Sequence, residues 1–269
     1  ALPIWDGYRK ERTDLMNYLL GNGIQNVVAI TGDIHAFFAG EVYNEFAGEV
    51  TDITTVGGSA VESAASTGGT AAMVDLVTAG ISSTSWFNYI KVAADGLDPT
   101  NALIGKLVYV PVPVALPPNA LYGGSPALNF TLSLNLLDYT MGKAAPADTA
   151  ALAAQLTGQI KQQLAAGGVP EGAVEAATVG LRTTIAGNLG SALVLAQKLA
   201  TEVATNPWLK HIDTDAQGYG IVTASATQLQ CQFKKLNPIV GTAAPSAARR
   251  VVSTTTATVT LGTAAVVIS

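Results

Sequence analysis

The chain has 269 residues, of which 12% are charged and 49% hydrophobic, and its net charge is -5. A fold of this size buries roughly 75% of its unfolded surface, so core size is not limiting. So sparse and acidic a charge balance excludes both the footprint of a nucleic-acid binder and a polybasic membrane patch.

A single cysteine, Cys231, excludes an internal disulfide framework and any multi-cysteine metal cluster. No window reaches the roughly 18 uninterrupted apolar residues of a spanning helix, and the start lacks the basic, apolar, small-residue pattern of a signal peptide. The chain therefore reads as soluble, with no transmembrane segment. Its first residue is alanine, which reads as a processing site or a truncation, with sequence expected upstream.

Residues 9–20 carry Leu15, Met16, Leu19 and Leu20 at helical spacing, and "GNG" at 21–23 predicts a stop. "NVVAI" at 26–30 is a continuous apolar run and predicts a strand buried on both faces. This strand runs into "TGDIH", and loops at the carboxyl ends of such strands are where α/β proteins place ligands.

From about 59 to 205 the composition shifts to Ala, Gly, Ser and Thr, with helices predicted near 70–80, 147–166 and 171–204. "LVYVPVPVALPP" at 107–118 predicts an extended connector, because its prolines lack donors and fix φ. From 218 onward "GYGIVTAS", "LQCQFKKL" and "RRVVSTTTATVTL" predict successive antiparallel strands. Alternation in "LQCQF" puts Cys231 with Leu229 and Phe233 on one face, as a small core residue.

Asp33 and His35 are the candidate chemistry. In an extended segment they project to one side, so a carboxylate oxygen and an imidazole nitrogen converge. Such ligands suit a hard or borderline metal ion, and Gly32 lets the backbone turn sharply. On the tripeptide alone, the commoner arrangement has Asp33 capping the next turn and His35 hydrogen-bonded and partly buried. A metal needs three or four protein ligands, and the other histidine, His211, is distant in sequence.

Three blocks, "WDGYRKERTDLMNYLLGNGIQNVVAITGDIHAFFAGEV", "NPWLKHIDTDAQGYGIV" and "LQCQFKKLNPIVGTAAPS", together resemble the carboxyl-terminal half of the PhoD-like metallophosphoesterases, the alkaline phosphatase D and phospholipase D-like phosphodiesterases. The calcineurin-like superfamily usually has Gly-His-x-His as its last metal motif, whereas PhoD-like members resemble the "GDIH" of Gly32 to His35.

The resemblance implies an α/β fold: the C-terminal half of a calcineurin-like β-sandwich flanked by helices, with a large helical insertion and a β-rich C-terminus. It implies a dinuclear centre of iron and calcium, with Asp33 on one metal and His35 on the other as the catalytic pair. It further implies cleavage of phosphate mono- or diesters and a secreted or periplasmic location. The family's earlier ligands come from motifs upstream of "WDGY", so most of the metal shell is expected outside this chain. The expected partner is a second polypeptide carrying the N-terminal half, or another copy of the chain.

The chain accordingly divides into a core segment 1–58 with the motif, an Ala/Gly-rich helical insertion or cap 59–205, and a return to the core with C-terminal strands 206–269. Trp86 and Phe87 read as core or interface residues, with contact to an apolar substrate portion as the alternative. Trp5, Asp6 and Tyr8 open the first block, with Asp6 either near the site or capping the next helix. Asn206, Pro207, Lys210 and His211 read as a loop-to-strand element, with phosphate contact by Lys210 or His211 as the alternative. Asp213 and Asp215 read as a solvated edge, since EF-hand spacing is missing. The competing function is a catalytically inactive fragment serving as an extracellular structural or self-assembling protein.

Overall fold

The computed structural model describes residues 9–45, 69–101, 104–118, 127–203, 206–237 and 251–269. Trp5, Asp6 and Tyr8 lie outside the described residues. Helix α1 spans Arg9–Gly21 and buries Met16 and Leu19. Strands β1 (Val28–Thr31), β2 (Phe37–Tyr43), β3 (Ala71–Val77) and β6 (Leu209–Asp213) form a sheet of order β1-β3-β2-β6. β1 runs parallel to β3, while β2 is antiparallel to both β3 and β6.

Two expectations are corrected here. Residues 70–80 are not helical: "AAMVDLV" is strand β3, nearly all of it buried at the centre of the sheet. A mostly apolar seven-residue run fits a buried strand as well as a helix turn, and periodicity does not separate them. Conversely, β1 is not buried on both faces. It lies at the sheet edge, and Ile30 is 55% exposed.

The second sheet is a meander of β7 (Gly218–Ala224), β8 (Gln228–Leu236), β9 (Val251–Thr260) and β10 (Val266–Ile268), as the C-terminal sequence predicts. Its inner face carries Cys231, Phe233, Ala257 and Val259, which pack on Phe37, Ala39, Val74 and Leu76 of the first sheet. The opposite face of the first sheet is covered by α1 through Met16 and Leu19, and by Trp86 and Trp208. Two sheets therefore pack face to face with helices outside, an α/β arrangement.

A second core lies beside the first. Strands β4 (Tyr109–Leu116) and β5 (Leu128–Asn135) pair antiparallel and are covered by α4 (Leu137–Met141), α5 (Thr149–Gln155), α6 (Thr157–Ala166), α7 (Glu171–Ala186) and α8 (Gly190–Lys198). The expected connector at 107–118 is thus mostly a strand, preceded by the short helix α3 (Gly105–Val108). Pro111 and Pro113 fit because they share one parity along the strand and are exposed, while Val112 and Val114 point into the core.

Pro111 lies opposite Ser133, whose own N–H and C=O turn to the outer edge. There the Gln159 side-chain amide satisfies both, at 2.8 Å each. Helix α2 (Trp86–Leu97) joins the two cores, with Phe87 fully buried and Trp86 packed on the first sheet, as core residues. Among the described residues no single helix is long and apolar enough to cross a membrane.

Candidate active site

The segment after β1 is not extended. Asp33 and His35 take φ values of 67° and 60°, the left-handed region that non-glycine residues rarely occupy, so the geometry expected for the pair is corrected. The loop is pinned at both ends. At its start the Thr31 carbonyl accepts the Thr78 N–H at 2.9 Å, and within the turn Ile34 N–H reaches the Gly32 carbonyl at 2.9 Å. At its end the His35 carbonyl accepts the Trp86 N–H at 3.0 Å. Fixed ends of this kind over-determine a strained backbone, and such strain clusters at functional sites.

The side chains differ in their surroundings. Asp33 is exposed, while His35 is half-buried beside the Tyr89 ring, with centroids 5.7 Å apart. His35 Nδ1 lies 2.7 Å from the Thr84 carbonyl oxygen. A carbonyl only accepts, so Nδ1 carries the proton, and in the neutral ring Nε2 then holds the free lone pair. Metal-binding histidines are oriented by this kind of contact. A half-buried, hydrogen-bonded histidine is also what the structural alternative expects. Among the described residues no three His, Cys, Asp or Glu side chains gather where they could hold a metal ion.

The other histidine does not join the loop. His211 lies on β6 opposite Ala39, with its ring stacked on Phe233 at 5.5 Å, and burial lowers its pKa. Asn206 bonds the Met141 carbonyl, and Lys210 lies 3.5 Å from Glu41, so this block serves the turn into β6.

Asp213 and Asp215 are not a solvated edge, which corrects that expectation as well. Lys235 Nζ bonds both oxygens of Asp213, at 2.9 and 2.8 Å. Burial alone would raise the Asp213 carboxyl, but Lys235 and Lys143 hold it below the usual carboxylate range. Asp215 Oδ1 accepts the Ser85 hydroxyl at 2.8 Å, and burial pushes this carboxyl up to about 6. Between them Thr214, fully buried, donates its N–H and its hydroxyl to Asp138 Oδ1 at 3.0 and 2.6 Å. Its carbonyl takes the Phe87 N–H at 2.9 Å. Lys143 completes the cluster at 2.9 Å from Asp138 Oδ2.

Sequence reasoning also missed Asp75, buried in β3 with Oδ1 accepting the Thr31 hydroxyl at 2.9 Å and Oδ2 left without a partner. Burial raises its pKa. The available signal was an acid inside an apolar run, "MVDLV", in a chain with few charges.

Residues 2–102 match the family model of the PhoD-like phosphatases. That span includes α1, the first three strands, the Gly32–Ala36 loop and α2; the second and third sequence blocks lie outside it. The chain is 34% identical over 72 residues to alkaline phosphatase D of Bacillus subtilis (strain 168). This alignment covers 27% of the chain and 12% of that relative. No solved structure matches. With the motif-bearing loop inside the matched span, residues 2–102 of this chain are similar to the PhoD-like phosphatases, and the chain spans only a small part of the length of the relative it matches.

Proposed function

We propose that the chain contributes the Gly32–Ala36 loop to a metal-dependent phosphoesterase, with Asp33 and His35 as ligands to the two metals of a dinuclear iron and calcium centre. The observation that carries this reading is the loop itself. Two non-glycine residues are held at positive φ, and the Thr84 carbonyl fixes the His35 ring with Nε2 open. The family match across the same residues supports phosphoester hydrolysis as the reaction class.

A bound metal pair supplies charge neutralisation on phosphoryl oxygens and a water of lowered pKa. The chain's part is to present one carboxylate and one oriented imidazole on a rigid turn. Two ligands do not complete such a centre, so the remaining ones come from outside the described residues, from a second polypeptide or from another copy. In this reading the helices over 149–203 form a cap, the sandwich is the C-terminal half of a calcineurin-like fold, and the protein works in a secreted or periplasmic setting.

The test is hydrolysis of p-nitrophenyl phosphate and bis(p-nitrophenyl) phosphate by the purified protein and its His35→Ala variant. Loss of even an outer partner of a metal ligand costs about 10–100-fold, so the variant is expected to lose at least about 100-fold with its circular dichroism unchanged. Equal turnover by both proteins sinks the assignment. Chelator-insensitive assembly with no hydrolysis by either would favour the structural, self-assembling reading, which the half-exposed edge strand β1 supports.

A further inference from the structure

A cavity of about 660 Å³ lies between α2, helices α5 to α7 and the second sheet. No residue of the Gly32–Ala36 loop lines it. Its volume is in the range of small-molecule sites, roughly 300–1,000 Å³, but its walls are rich in amide, hydroxyl and charged side chains.

The charges there are unevenly satisfied. Lys91 Nζ sits 2.7 Å from Asp95, and Lys235 is held by both oxygens of Asp213. Arg182 differs: its Nε is buried without a hydrogen-bond partner. It follows Leu181, a buried residue of α7, and it lines the cavity. A guanidinium stays charged at any working pH and matches planar anionic groups with paired N–H donors.

The remaining wall groups suit hydroxyls. Gln155 is committed to Tyr139 and Gln159 to the Ser133 backbone. The half-buried amides of Gln162 and Gln163 on α6 line the same space, and each presents a donor and an acceptor. Asp215, bonded by Ser85 at one oxygen, still has lone pairs to offer.

We propose that this cavity binds a small polyhydroxylated anion, a sugar or polyol bearing a phosphate or a carboxylate, with its acidic group on Arg182 and its hydroxyls on Gln162, Gln163 and Asp215. The site is separate from the loop assigned to hydrolysis, though the turn leading into α2 touches both: Thr84 holds His35, and the next residue, Ser85, lines the cavity.

The experiment is isothermal titration calorimetry of the full chain with glucose 6-phosphate, gluconate, glucose and inorganic phosphate. At least one of the two acidic sugars is expected to bind at one per chain, with glucose and phosphate at least about tenfold weaker. The tighter of the acidic sugars identifies phosphate or carboxylate as the anchor. Arg182→Gln should weaken that ligand at least about tenfold, as should Gln162→Glu, which adds a negative charge at a half-buried position. His35→Ala should leave it unchanged, which separates this site from the hydrolytic loop. No saturable binding of either acidic sugar, binding retained in both cavity variants, or binding lost in His35→Ala would each overturn the proposal.

Discussion

Positive φ at Asp33 and His35 makes a claim about cost as well as position. A non-glycine residue held there gives up roughly 1 kcal/mol or more, and glycine would not. Asp33 is exposed, so its carboxylate does not repay that cost through packing. Asp33→Gly is therefore expected to stabilise the fold by about 1 kcal/mol in urea melts while removing one of the two ligands assigned to this loop; a destabilised variant would show that the carboxylate has a structural task. Asp215 gives a pH signature. Its folded pKa of about 6 stands above the roughly 3.9 of an unfolded aspartate. The folded state thus binds the extra proton, and this group's contribution to stability falls as pH rises from about 4 to about 6. Asp215→Asn keeps an acceptor for Ser85 and removes the charge, so relative to the parent it should gain roughly 2 kcal/mol at pH 8 and nothing at pH 4. A pH-independent difference in thermal melts would contradict the burial argument. At this scale the "GDIH" pair was legible from residue type and spacing, but its geometry was not, because left-handed backbone at Asp33 and His35 is imposed by bonds from Thr78 and Trp86, far along the chain.

Strand β4 is the element that most tests how a sequence encodes its pairing. Its prolines exclude it from the centre of a sheet, yet they are compatible with a two-stranded ribbon in which only alternate residues face the partner. That arrangement leaves Ser133 of β5 with backbone groups facing outward, and Gln159 answers them. Gln159→Ala is expected to cost about 1–2 kcal/mol and to deprotect the Ser133 amide in hydrogen exchange; unchanged protection would mean that water serves the edge equally well. The helices at 149–203 and the C-terminal meander were legible because their periods and breakers are local. Strand β3 was not, since six buried residues in a row carry no period, and only its neighbours β1 and β2 in the sheet make it a strand.

Across the whole molecule, the loop after β6 joins the sandwich to the helical layer. Thr214 bonds Asp138 in the first turn of α4 and Phe87 at the start of α2, so one residue ties three elements that are distant in sequence. None of this could be read from "DTDAQG", because the partners of these acids, Lys235 for Asp213 and Ser85 for Asp215, become neighbours only after folding. The same logic bounds the functional reading: the loop that carries Asp33 and His35 lies within the PhoD-like span, while the described residues bring no third ligand beside it. The central claim is that this loop holds metal within a larger assembly. Native mass spectrometry of the purified protein, combined with elemental analysis of the same sample, tests it most directly. Metal is expected bound to a complex of this chain with a second polypeptide or a further copy, and reduced in Asp33→Ala and His35→Ala. A lone chain without metal, or metal retained at full occupancy in both variants, would contradict it.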